Sequence, residues 1–137
     1  MDAMTILDRL AIRELTERYA AYAMRIDPLG WGKCWAEDGA WQLSSMDEPV
    51  TGRDAIIAEF AKRMEYVGSL WLSGFPMDLI VDGEMAAGKT YTREEVLPKA
   101  GGRISVNGCF HDTYVRHSGQ WLFKSRRYEV LDIKREP

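Results

Sequence analysis

Five side chains of proton-handling types are scattered through this chain: Tyr22, Asp27, Glu94, Asp112 and Arg126. A carboxylate can remove a carbon-bound proton, and a phenol or a protonated carboxyl can hold an oxygen on which charge develops. An arginine can anchor or neutralise a leaving group. Tyr22 and Asp27 open the aromatic stretch YAMRIDPLGWGKCWAEDGAW, residues 22–41. Tyr22 falls on an apolar helical stripe, so it reads either as a core tyrosine bonded to a carbonyl or as a pocket donor. Asp27 reads either as the cap of the short helix that follows it or as a functional carboxylate in need of a partner. In CFHDTYVR, strand alternation puts Phe110, Asp112 and Tyr114 on one face and His111, Thr113 and Val115 on the other. An aspartate between two inward aromatics is desolvated; it either stays protonated as a donor or pairs with Arg126 as a buried structural ion pair. Thr90, Thr92 and Glu94 form a polar row on one strand face, either a solvated sheet edge or a polar pocket wall.

The elements that must position these groups change period halfway along. Leu7, Leu10, Ala11, Leu15, Tyr19, Tyr22 and Ile26 recur at helical steps. Thr5 and Asp8 in TILD resemble a capping box at the start of that helix, and Pro28 ends it at Asp27. PLGWGKCWAEDGAW predicts a short second helix or turn running into a strand at about 40–43, followed by a loop over SSMDEPVTG. TGRDAIIAEFAKRMEYV predicts a third helix with Ile56, Ile57, Phe60 and Met64 inward. From residue 70 onward, β-branched and aromatic runs alternate with the turn signals Asp82-Gly83, Gly101-Gly102 and Ser118-Gly119, a meander of antiparallel strands. Helices first and strands after predict an α+β fold: a cone-shaped barrel of three N-terminal helices on a curved, mostly antiparallel sheet. A small-molecule cavity is expected between the layers. Trp41, Phe60, Trp71, Thr90, Thr92 and Phe110 are expected to line it.

Bulk composition narrows the function classes. The 137 residues, 46% hydrophobic and 28% charged, predict one domain over 1–137. A net charge of −3 with scattered Lys and Arg gives no nucleic-acid footprint. Charges interrupt residues 1–20, so neither a signal peptide nor a membrane span is expected there. Cys34 and Cys109 read as free thiols in a reducing cytoplasm. No clustered His/Cys set and no Gly-rich phosphate loop appears, so neither metal nor organic cofactor is expected.

The order of elements, with YAMRIDPLGW and CWAEDGAW in front and GCFHDTYVRHSGQWLF near the end, resembles the SnoaL-like enzymes of the nuclear-transport-factor-2-like superfamily. That scaffold hosts isomerases, dehydratases, cyclases and binding modules. The resemblance implies pocket roles for Tyr22, Asp27, Trp41, Glu94, Asp112 and Arg126. It does not carry over the family's catalytic histidine, whose window here reads SLWL, residues 69–72. The early-strand aspartate of the isomerase members is also missing, its place falling near Leu43. Of the two histidines present, His117 falls at a turn and His111 faces outward.

The expected function is therefore a cofactor-independent lyase or isomerase, of the dehydratase, ketosteroid-isomerase or polyketide-cyclase kind, acting on a small apolar cyclic molecule. Asp27 or Glu94 would serve as base, Tyr22 and a protonated Asp112 as oxygen donors, and Arg126 as anchor. The competing expectation is a non-catalytic ligand-binding or dimeric accessory protein that has lost the histidine. A homodimer or higher homo-oligomer is expected, and a third possibility is a subunit or assembly factor in which His111, Thr113 and Val115 on the outer face of the sheet pair two copies back to back.

Overall fold

Helix α1 spans Ala3–Met24 and starts where the Asp2 carboxylate accepts from the Thr5 N–H at 2.8 Å. The cap is thus Asp2, one turn before the expected Thr5. Ile12, Leu15, Thr16, Tyr19 and Ala23 form its buried stripe. Leu7 and Leu10 are more than half exposed, and Tyr22 lies off the stripe. The helix carries two overlapping apolar stripes, and packing on the sheet selects one of them. α1 ends at Met24, before the expected Asp27, because Ile26 turns into the left-handed region at φ 51°. Asp27 then caps α2 (Pro28–Gly32), and the proline occupies the first turn, where no backbone donor is needed.

Strand β1 runs Trp35–Gln42, longer than the expected four residues, and β2 (Val50–Thr51) folds back on it within the segment expected to be loop. Helix α3 covers Arg53–Met64 and buries Ile56 and Phe60. The Arg53 guanidinium locks its start to β1 by two bonds to the Trp35 carbonyl, at 3.0 and 2.7 Å. Four long strands follow: β3 (Val67–Asp82), β4 (Met85–Pro98), β5 (Arg103–His117) and β6 (Gln120–Glu136). The computed structural model describes all 137 residues as an α+β fold. Its three helices pack on one curved six-stranded sheet of order β2-β1-β6-β5-β4-β3. Only β1 and β6 pair in parallel. No helix is long and apolar enough to cross a membrane.

The main core lies between α1, α2, α3 and the first part of the sheet. Trp31, Trp35, Trp41, Tyr19, Phe60, Tyr114 and Phe123 are all buried there. Trp31 stacks on Phe60 with ring centroids 4.1 Å apart. A smaller cluster of Val106, Phe110 and Tyr128 continues it along the inner face of the sheet.

Candidate active site on the inner face of the sheet

The register of β3 to β6 arranges the inner face in rows across the strands. One row holds Gly88, Asp112 and Arg126; the next holds Pro76, Thr90, Phe110 and Tyr128. Gly74, Thr92, Gly108 and Val130 follow, then Leu72, Glu94, Val106 and Ile133. The outermost row is Leu70, Val96, Ile104 and Arg135. Burial falls along this series: Asp112 and Arg126 are each 2% exposed, whereas Leu70, Val96 and Ile104 are only half-buried. Inner-face alternation on β5 is as expected, and the polar row of β4 lies on the same face.

Asp112 is held from every side. Arg126 donates from Nε and Nη2 at 2.8 and 3.2 Å, Thr90 from its hydroxyl at 2.6 Å, and Tyr114 from its phenol at 3.1 Å. Oδ2 accepts three of these bonds and Oδ1 the fourth, the acceptor role of an ionised carboxylate. Of the two readings left open for Asp112, the geometry is that of the ion pair; the carboxyl is not placed to donate. The Arg126 guanidinium lies 3.8 Å from the Phe110 ring centroid, 4.0 Å from Phe123 and 4.4 Å from Tyr19. Burial is the largest single influence on its pKa and pulls it down, but the Asp112 charge and hydrogen bonds together with the Tyr19 and Tyr114 phenols outweigh it, and the guanidinium sits above its ordinary value. Both groups are spent on each other, with Arg126 sealed by aromatic faces. The cavity beside them, lined by Thr16, Tyr19, Leu72, Thr92 and Arg126 among others, is about 10 Å³, about the room one water needs. The hollow expected at this level is filled.

Glu94 is the exception on this face. It lies between Leu72 and Val106 in register, is half-buried, and makes no hydrogen bond or ion pair. Burial pushes its carboxyl up to about 7. One row deeper, the Tyr128 phenol meets the Thr92 hydroxyl at 3.0 Å. Burial raises the Tyr128 pKa, and the nearby Glu94 charge adds to the rise. The phenol can lie there because position 108 is glycine: a Cβ would collide with the Tyr128 ring and hydroxyl. Together Glu94, Thr92 and Tyr128 form a proton acceptor beside a phenol–hydroxyl pair, framed by Leu72, Val106 and Val130, with Leu43 packed against the same cluster.

Three expected site residues lie elsewhere. The Asp27 carboxylate accepts from the Gly30 N–H at 3.0 Å, as a helix cap. Tyr22 packs over Gly30 and lines a separate groove of about 370 Å³ with Glu14, Arg18 and Lys33. No hydrogen bond or ion pair links either residue to Glu94, Asp112 or Arg126. Trp71 is 58% exposed on the outer face of the sheet, since alternation along β3 turns Leu70 and Leu72 inward. Trp41 and Phe60 are buried in the main core, and Phe110 and Thr90 surround the ion pair. The indole N–H groups of Trp31, Trp35 and Trp41 are buried without a protein hydrogen-bond partner. Tyr19 and Tyr128 were not singled out from the sequence as site residues. Tyr128 carried a usable signal: it stands two residues after Arg126, on the same strand face.

The SnoaL-like domain family matches residues 4–127, nearly the whole chain. The chain belongs to that family. This SnoaL-like chain also superposes on solved structures of the same fold. A candidate scytalone dehydratase from Novosphingobium aromaticivorans aligns with TM-score 0.87 and 17% identity, over 98% of this chain and 91% of the other. A hexachlorocyclohexane dehydrochlorinase, type 3, from Novosphingobium barchaimii aligns with TM-score 0.81 and 13% identity, over 96% and 91%. A nuclear-transport-factor-2-like superfamily protein from Salmonella enterica gives TM-score 0.82 and 16% identity, over 92% of each chain. At these identities the likeness is one of fold. A search of curated proteins found no match.

Proposed function

We propose that this SnoaL-like chain is a cofactor-independent lyase or isomerase in which Glu94 removes a carbon-bound proton from a small apolar cyclic substrate. The observation that carries this reading is the unpartnered, desolvated Glu94 carboxyl, pushed up to about 7. A base serves best when its pKa lies near the working pH, because it is then largely ionised yet still basic. Tyr128, hydrogen-bonded to Thr92 and near enough to Glu94 to feel its charge, would hold the oxygen of the developing enolate. The structural relatives named for a dehydratase and a dehydrochlorinase support proton removal as the shared step. The substrate in this reading lies toward the half-buried rim of Leu70, Val96 and Ile104, with its reacting carbon facing Glu94, since the interior at Asp112 has no room for it. In this reading the Asp112–Arg126 pair is the rigid floor of the site.

The test is deuterium exchange into a cyclic ketone with an acidic α-carbon, such as 2-tetralone, followed by NMR in heavy water. The protein should accelerate exchange, with kcat/KM rising as pH passes through about 7, where Glu94 gives up its proton. Glu94→Gln should lower kcat by about 10²–10⁴-fold, and Tyr128→Phe should lower it with little change in KM. Exchange that persists in Glu94→Gln, or a flat pH profile, removes Glu94 from the role. Ligand binding without exchange favours the binding-module reading, which the structural pairing of Asp112 with Arg126, Thr90 and Tyr114 also suits.

A further inference from the structure

The outer face of the sheet carries a second cluster of chemically capable side chains, remote from Glu94. Cys109 and His111 are two apart on β5 and share that face, and Glu129 of β6 stands directly across from Cys109 in the register. The Cys109 sulfur, a ring nitrogen of His111 and a carboxylate oxygen of Glu129 all lie within 4.8 Å of one another. His111 Nε2 and Glu129 Oε1 are 2.9 Å apart. The thiol also donates to the Phe110 carbonyl at 3.7 Å.

We propose that Cys109, His111 and Glu129 form a three-ligand site for a zinc-class divalent ion, with its fourth position open to solvent. One sulfur, one imidazole nitrogen and one carboxylate oxygen are the three donor types that zinc takes, whereas magnesium and calcium require oxygen alone. Tetrahedral zinc with bonds of about 2.0–2.3 Å sets its ligand atoms about 3.3–3.6 Å apart. The His111–Glu129 contact must therefore open by a few tenths of an ångström, and the sulfur must be approached by about one. The His111 and Glu129 side chains are 32% and 49% exposed and can make both adjustments by rotation, while Cys109 stays fixed in the sheet.

Charge sets what binding requires. Burial raises the Cys109 thiol pKa, and the Glu129 charge adds to this while Lys89 opposes it. On binding, the thiol proton leaves to the buffer; the resulting thiolate and the Glu129 carboxylate balance a +2 ion. Lys89 and Arg127 stand on either side of His111 in the register, and Tyr91 stands beside Cys109. The two cations weaken the site without occupying a ligand position. Sequence spacing could not display the set, because only the β5–β6 pairing brings Glu129 to residues 109 and 111.

The probe is Co²⁺ added to the reduced, intact protein, read by the thiolate-to-cobalt charge-transfer band. Saturation at one ion per chain is expected, with displacement by Zn²⁺ and none by Mg²⁺. Cys109→Ser should abolish the band. His111→Gln and Glu129→Gln, both surface changes, should each weaken binding more than about tenfold, the scale reported even for groups that only support ligands. Lys89→Met should tighten it, and Cys34→Ser and His117→Gln should leave it unchanged. Absence of the band overturns the assignment. So does a band that survives both His111→Gln and Glu129→Gln, or one that disappears with Cys34→Ser.

Discussion

Glu94 illustrates how one side chain links stability and chemistry. Its carboxyl titrates at about 7 in the fold against 4.5 as the ordinary value, so between these limits the folded state binds more protons than the unfolded chain. Stability from this group is therefore complete below about pH 4.5 and is lost as pH rises through about 7. The loss is at most about 3 kcal/mol, since each unit of pKa is worth about 1.4. Glu94→Gln should flatten that dependence, raising the thermal midpoint at pH 8 while changing it little at pH 4. Equal effects at both values would show that the carboxyl is solvated and poorly suited to act as base. The residue that weakens the fold at neutral pH is the one assigned the chemistry, a conflict common at functional positions.

The short elements matter through their ends. α2 is only five residues long and cannot nucleate alone, so its start depends on Asp27 and Pro28. Asp27→Ala should cost about 1 kcal/mol in urea unfolding. It should leave the Glu94-dependent exchange rate within a few-fold, because no bond joins Asp27 to that site. A loss of exchange matching that of Glu94→Gln would return Asp27 to the catalytic set. On the sheet, β5 and β6 are the strands whose two faces carry the two proposed sites. Their inner residues build the floor beneath Glu94 and Tyr128, and their outer residues supply Cys109, His111 and Glu129. Register shifts between Asn107 and Gly108, and between Thr113 and Tyr114, keep these faces in phase only over the stretch from 108 to 113.

Across the whole molecule, the buried Asp112–Arg126 pair joins β5 to β6 beneath α1, with Tyr19 of that helix covering the guanidinium. Such a pair adds little net stability relative to a well-packed apolar replacement, but removing one partner strands the other charge. Asp112→Asn should cost about 3–5 kcal/mol by chemical denaturation, and the double change Asp112→Leu with Arg126→Met should recover much of it. If the single change costs nothing, the pair is not the floor described here. The same arrangement separates the two acidic groups of the inner face: the interior is closed where charge is neutralised at Asp112, and Glu94 lies unpaired three rows away, where it is half-buried.

Local pattern was enough for the order of three helices and a strand meander, for the glycine turns, and for the alternation that turns Asp112 inward, because each depends on residues close in sequence. The same parity, carried from β5 through the pairing of β4 to β3, would have turned Trp71 outward, but it needed a register that no local signal supplied. Tyr22 lies off the buried stripe for a related reason: a helix rich in apolar residues offers two stripes, and only packing on the sheet chooses between them. Whether Asp112 donates or pairs, whether Glu94 is dry or wet, and which residues join Cys109 and His111 are all set by cross-strand neighbours. Burial and charge compensation arise between segments distant in the chain, so the side-chain types were present in the sequence while their partners awaited the fold.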